Sequence, residues 1–325
     1  MATMNLREAV TKGLEEALDE DDRVFIMGED IGAYGGAYAV TKGFLEKYGA
    51  RRIRETPISE SIFVGAGAGA AMAGLRPVVE LMTINFAVLA LDQILNHATK
   101  VRYMSGGQLT APVIYRTVTG GGAGLAATHS QNLETWFAHM PGIHVVLPST
   151  PRDALGLLRE AFRKEDPVLF AEHALTYRVS GEVPDEHYTI PFGKADVKRR
   201  GSDVTLVAYS RMVHVALDAA QMLAERGVEA EVIDLRTLRP LDIETVAASV
   251  RKTNRVAVIE EAWRTGGFAG EVTARIQEEC FDDLDGPVAR IGGEDVPQPY
   301  SANIERASIP DAQKVLKALK EVIGI

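Results

Sequence analysis

Val204-Thr205-Leu206-Val207-Ala208, then a helical pattern over Val213 to Arg226 closed by Gly227, then Ala230-Glu231-Val232-Ile233, is the stretch that decides the fold. A glycine suits a left-handed helix stop. A short strand, a crossover helix and a second strand form the unit that parallel neighbours require. The pattern continues C-terminally with a helix over Ile243 to Val250 and a strand over Val256 to Ile259. Towards the N-terminus, Val24 to Met27, Val78 to Met82, Pro112 to Val118, His144 to Leu147 and Val168 to Ala171 lack polar alternation. They read as strands buried on both faces. Two helices among them carry clear start signals. Asn5 and Glu8 form a capping-box pattern ahead of Leu6, Val10, Leu14 and Leu18, and Thr150 precedes Pro151. The expected fold is α/β, with two domains built on mainly parallel sheets.

Between Thr176 and Ser202 the apolar runs stop, and the chain carries Gly181, Pro184, Pro191 and Lys198-Arg199-Arg200-Gly201. The expected organisation is a domain over 1–185, a linker over 186–202 and a second domain over 203–325.

With 325 residues, 46% hydrophobic, the chain is long enough for two packed cores, which excludes disorder. A net charge of −10 removes the chain-wide positive field that nucleic acid or anionic lipid would need. Small molecules and other proteins are the expected partners. The single cysteine, Cys280, can form no internal disulfide and no zinc cluster, which fits a reducing compartment. The N-terminus runs directly into helical periodicity, and no apolar run of about 18 residues follows. A soluble cytoplasmic protein is expected.

Two glycine-rich stretches could bear chemistry. Gly65-Ala66-Gly67-Ala68-Gly69-Ala70 matches a dinucleotide fingerprint in form, with Glu80 at the rough distance of a ribose-binding acid. However, Pro57-Ile58-Ser59-Glu60-Ser61 before it reads as a turn and helix cap rather than a strand, so close helix packing is the expected role. Thr119-Gly120-Gly121-Gly122-Ala123-Gly124 does follow a strand and presents His129. Open α/β sheets place ligands at such strand ends. Glu60 reads either as a first-turn glutamate stabilised by the helix dipole or as a functional acid, and Phe86 as core by default.

Taken together, Glu55-Thr56-Pro57-Ile58-Ser59-Glu60, Gly74-Leu75-Arg76-Pro77, Asn85-Phe86, Asp92-Gln93-Ile94, Tyr103-Met104-Ser105-Gly106-Gly107 and His129-Ser130-Gln131 resemble a known family. It comprises the β subunits of the thiamine-diphosphate-dependent first components of 2-oxoacid dehydrogenase complexes. Asp234-Leu235-Arg236-Thr237-Leu238, Glu260-Glu261-Ala262 and Thr265-Gly266-Gly267-Phe268 extend the resemblance across the whole chain. Asn85-Phe86 and the Tyr103 motif are more similar to pyruvate enzymes than to branched-chain 2-oxoacid ones; acetoin cleavage is the other activity of the class.

The resemblance implies a transketolase-like pyrimidine-binding domain followed by a transketolase C-terminal-like domain. It makes Glu60 the acid that hydrogen-bonds N1′ of the cofactor's aminopyrimidine, tuned by burial among Ile58, Ile62 and Phe63. Phe86 would stack on that ring, with Ile58 and Glu29 lining the pocket. His129 would stabilise the charged intermediate and assist acyl transfer to a lipoyl group. The Gly-Asp-Gly magnesium signature is missing from the sequence. The resemblance therefore implies a separate α subunit holding magnesium and the diphosphate in a heterotetramer of two α and two β chains. It also implies a structural potassium site at Val113, Ala161, Phe162, Lys164 and Asp166, and docking to a dihydrolipoyl acyltransferase core through Asp285 and the terminal Ile325.

Overall fold

The computed structural model describes residues 1–324, in two compact units: 1–119 with 136–192, and 120–135 with the stretch from 193 onward. In chain order the N-terminal half carries β1 (Ala2–Asn5), α1 (Leu6–Glu20), β2 (Val24–Gly28), α2 (Phe44–Tyr48), β3 (Ile53–Glu55), α3 (Glu60–Met72) and β4 (Arg76–Leu81). After two irregular helical turns come α4 (Val101–Met104), β5 (Ile114–Thr119), α5 (Glu134–Ala138), β6 (His144–Val146), α6 (Pro151–Ala161), β7 (Val168–His173) and β8 (Ser180–Val183). In the first unit β6, β7, β5, β4, β2 and β3 lie side by side in that order, every pair parallel.

Local sequence explains the helices. Asn5 Oδ1 accepts the Glu8 amide at 2.9 Å while Glu8 Oε2 accepts the Asn5 amide at 2.7 Å, closing the capping box on α1. Leu6, Val10, Leu14 and Leu18 are buried in the core cluster that α1 shares with α6, Ile26, Val78 and Ile114. Thr150 caps α6 through the Asp153 amide, and Pro151 occupies its first turn.

The second unit holds β9 (Asp196–Arg199), β10 (Val204–Ala208), α7 (Met212–Ala224), β11 (Ala230–Asp234), β12 (Thr237–Arg239), α8 (Ile243–Thr253), β13 (Val256–Trp263), α9 (Phe268–Cys280), β14 (Ala289–Gly293), α10 (Ala302–Ser308) and α11 (Ala312–Ile323). Its sheet runs β14-β13-β10-β11-β9, parallel except at the β9 edge. Gly227, at φ 77°, ends the α7 segment in the left-handed region.

The structure departs from the sequence reading at several points, the strands β3, β12 and β14 that no reading marked among them. Ala2–Asn5 and Ser180–Val183 form an antiparallel pair that no apolar pattern announces, since most of their residues are half-buried or exposed. The stretch 186–202 contains β9, an edge strand held by charge: Lys198 Nζ lies 2.9 Å from Asp196 and 3.6 Å from Asp234. Hydrophobic patterning passes over such a strand. Residues 120–135 group by contact with the second unit, whose Glu261 and Glu305 carboxylates hold amides of this loop. Among the described residues, no helix is long and apolar enough to cross a membrane.

Candidate active site

In the first unit two acidic side chains meet where β2 ends and α3 begins. Gly28 closes β2 with its backbone against β4; a Cβ there would stand 2.5 Å from the Glu80 carbonyl oxygen, so only glycine allows the approach. Glu29 follows directly. Glu60 opens α3, and both carboxyls are buried, at 7% and 5% exposure. The Ser59 amide donates to the Glu29 carboxylate. Burial pushes the Glu29 carboxyl above the usual carboxylate range, the neighbouring Glu60 charge pushes it further, and the Ser59 amide opposes both. Glu29 Oε1 is buried without a hydrogen-bond partner among the described residues. Two buried acids, one with an unused oxygen, can hold a proton and pass it to a ligand's ring nitrogen.

Phe86 lies half-buried in the turn Ile84–Ala90, which packs against α3. The expected walls of Glu60 need correction. Phe63 is buried, but Ile58 is 82% and Ile62 73% exposed, and Leu89 and Tyr103 are exposed as well. The helix turns Phe63 into the core, whereas Ile62 and the preceding Ile58 face outward in this chain.

The dinucleotide reading fails on geometry. Gly65, Gly67 and Gly69 lie within α3, not in a strand-to-helix turn. A Cβ on Gly67 would sit 2.3 Å from Val79 Cγ2, so this glycine lets the helix lie close on β4.

Just beside Gly28, the sheet contains a charged network that sequence reasoning missed. Arg116, fully buried on β5, donates through Nε to Glu172 Oε1 at 2.8 Å and through Nη2 to the Tyr177 hydroxyl at 2.9 Å, and Nη1 pairs with Glu80. One guanidinium between two carboxylates leaves an excess negative charge. Burial first, and then Glu80, push the Glu172 carboxyl up to about 7 against the pull of Arg116. The available signal was a charged residue inside each of three mostly apolar strands.

His129 stands on the glycine loop of the second unit, exposed, with Nδ1 2.9 Å from Thr128 Oγ1. In the same unit, on β13, buried Glu260 accepts the Ala269 amide at 3.0 Å and the Tyr209 hydroxyl at 3.2 Å, and burial pushes its carboxyl up to about 7.

The oxygens of the five residues expected to hold potassium all have hydrogen-bond or ion-pair partners. The Phe162 and Lys164 carbonyls both accept from Arg76 Nη1, at 2.8 and 3.1 Å. The Val113 and Ala161 carbonyls accept the Val168 and Lys164 amides, and Asp166 pairs with Arg102. Arg76 thus already brings a positive charge to two of these carbonyls.

Asp285 is exposed and lies 3.8 Å from Arg255; Ile325 falls outside the described residues.

The two-unit fold has counterparts in known proteins. Residues 2–179 match the transketolase pyrimidine binding domain and residues 193–315 the transketolase C-terminal domain, which defines a transketolase-type two-domain protein. A solved structure titled as a split gene transketolase, inactive beta4 tetramer, superposes with a TM-score of 0.80 at 24% identity, covering 98% of each chain. Among curated proteins, pyruvate dehydrogenase E1 component subunit beta-2, mitochondrial, of Oryza sativa subsp. japonica is 48% identical over 98% of this chain and 85% of its own. The E1 subunit beta of Rhizobium meliloti (strain 1021) is 46% identical over 99% and 70%, and the mitochondrial one of Bos taurus 45% over 99% and 91%. The chain belongs to the pyruvate dehydrogenase E1 component subunit beta family.

Proposed function

We propose that this chain supplies the aminopyrimidine side of a thiamine-diphosphate site in the first component of a pyruvate dehydrogenase complex. The observation that carries this is the buried Glu29–Glu60 pair with its unused Glu29 oxygen, at the start of α3 in a chain of this family. An orphaned acceptor in a buried acidic niche fits a polar ring edge. Thiamine diphosphate, when bound, supplies the electron sink that lets a 2-oxo acid lose carbon dioxide. Glu60 would hydrogen-bond the ring nitrogen and exchange a proton with it, and Glu29 sets a second buried carboxyl beside it. Phe86 offers a ring face for stacking. His129, exposed on the glycine loop, would serve acyl transfer to a lipoyl group as a proton donor or acceptor.

A separate α subunit completes the unit in this reading, as two α and two β chains, and brings the magnesium half that this sequence lacks. Support comes from the exposure of Ile58, Ile62, Leu89 and Tyr103, apolar side chains of the kind that a second chain covers. The dihydrolipoyl acyltransferase core would dock on the second unit through Asp285 and Ile325. The loose Asp285–Arg255 contact leaves that carboxylate available to a basic partner. The buried, unpaired Cys280 accords with a reducing cytoplasm.

The test is calorimetric and kinetic. The chain alone should bind thiamine diphosphate with magnesium weakly. The chain co-purified with an α partner should bind it and release carbon dioxide from pyruvate faster than from branched-chain 2-oxo acids or acetoin. Tight binding by the isolated chain, or a preference for a branched substrate, would overturn the assignment.

A further inference from the structure

The glycine loop that carries His129 is held from outside by two carboxylates distant in sequence. Glu305, on α10, accepts the Gly122 amide at 2.9 Å and the Gly124 amide at 3.0 Å. Glu261, on β13, accepts the Gly121 amide at 2.7 Å. Gly122 and Gly124 both lie at positive φ, 87° and 71°. Their amides therefore turn towards one point, forming the kind of backbone nest that in other proteins holds an anion. Here the anion is the protein's own side chain.

The two carboxylates differ in how their charge is balanced. Glu261 has Arg211 Nη1 at 3.1 Å. Glu305 is 2% exposed and forms no ion pair among the described residues, so loop amides are what compensates its burial. The loop gains from this grip in turn. Glycines carry no side chains to pack, and the internal backbone bonds from the Gly120 amide to Gln131 and from the His129 amide to Ala126 are long, at 3.4 and 3.2 Å.

We infer that Glu305 is a positioning residue for His129: by gripping the Gly122 and Gly124 amides it sets the course of the loop from which the imidazole projects. This rests on the proposed role of His129 in acyl transfer, but the grip itself can be measured apart from any reaction.

The experiment compares wild type, Glu305→Gln and Glu305→Ala, each co-purified with the α partner. Glu305→Gln retains one acceptor oxygen and the packing of α10; Glu305→Ala retains neither bond. Three readouts are taken: amide hydrogen exchange over residues 121–130, the rate of carbethoxylation of His129 by diethyl pyrocarbonate mapped by mass spectrometry, and steady-state kinetics with a lipoyl domain as acceptor. Glu305→Ala should speed exchange at the loop at least tenfold, change the His129 modification rate several-fold and lower kcat at least tenfold. The KM for pyruvate should stay within about twofold, and Glu305→Gln should fall between. Wild-type exchange and modification rates in both variants would overturn the inference, and so would a faster loop with unaltered kcat. If the wild-type assembly turns over no 2-oxo acid while exchange and modification respond as expected, the functional reading falls and the grip on the His129 loop stands. Should Glu305→Ala fail to fold, the intermediate exchange and kcat of Glu305→Gln decide alone.

Discussion

Arg116 Nε donates to Glu172 Oε1 at 2.8 Å across neighbouring parallel strands, and neither side chain reaches solvent. Such a pair says little about net stability until one partner is removed, because the survivor then remains buried and uncompensated. Arg116→Met keeps much of the volume but strands both Glu80 and Glu172. It should cost about 3–5 kcal/mol, whereas Glu172→Gln, which removes the excess negative charge and leaves the Arg116–Glu80 pair, should cost clearly less. Denaturant unfolding of the three proteins measures this. Equal losses would show that the network is not organised around the guanidinium.

Glu60→Gln preserves size and hydrogen bonding but removes the transferable proton. Turnover of pyruvate by the chain with its α partner should fall by roughly 10² or more, the range of general acid and base groups. Thiamine diphosphate affinity, read by calorimetry, should change only a few-fold. Near-wild-type turnover with the cofactor bound would remove Glu60 from the proposed chemistry.

Gly67 tests the close contact of α3 with β4. An alanine methyl would press on Val79 Cγ2, an overpacking that costs about 1–3 kcal/mol, less the ~1 kcal/mol that alanine gains over glycine in a helix. Adding Val79→Ala should recover stability, so the pair should couple in a double-mutant cycle by at least about 0.5 kcal/mol. Simple additivity in thermal or urea unfolding would place the contact elsewhere.

The carboxyl of Glu260, raised to about 7 in the fold, links stability to pH. Its folded affinity for the proton exceeds its unfolded one, so its contribution is fully present below the unfolded carboxylate range and is lost as pH rises through about 7. A tenfold difference in proton affinity between the folded and unfolded chain corresponds to about 1.4 kcal/mol. Glu260→Gln should therefore flatten the decline in stability between about pH 5 and pH 8, measured as unfolding free energy at each pH. A wild-type slope in the variant would assign the decline to another group.

Much of the architecture is legible without coordinates, and the reasons are local. Val204–Ala208 is a strand because apolar residues are nearly continuous there, and Asn5 with Glu8 starts α1 because their side chains reach only three residues along the chain. Glu60 at a helix start and His129 on a glycine loop are likewise visible as residue types in place. What the tertiary structure alone decided is which distant groups meet. Glu29 faces Glu60, Arg116 sits between Glu80 and Glu172, and Glu305 reaches Gly122 across 183 positions. The edge strand Asp196–Arg199 and the outward Ile58 and Ile62 escaped for a related reason: charge pairing and helix rotation determined them, not hydrophobicity. A linear pattern records how each residue treats water. The partner that compensates a buried charge is chosen by strand register and loop path, which exist only once the chain has folded.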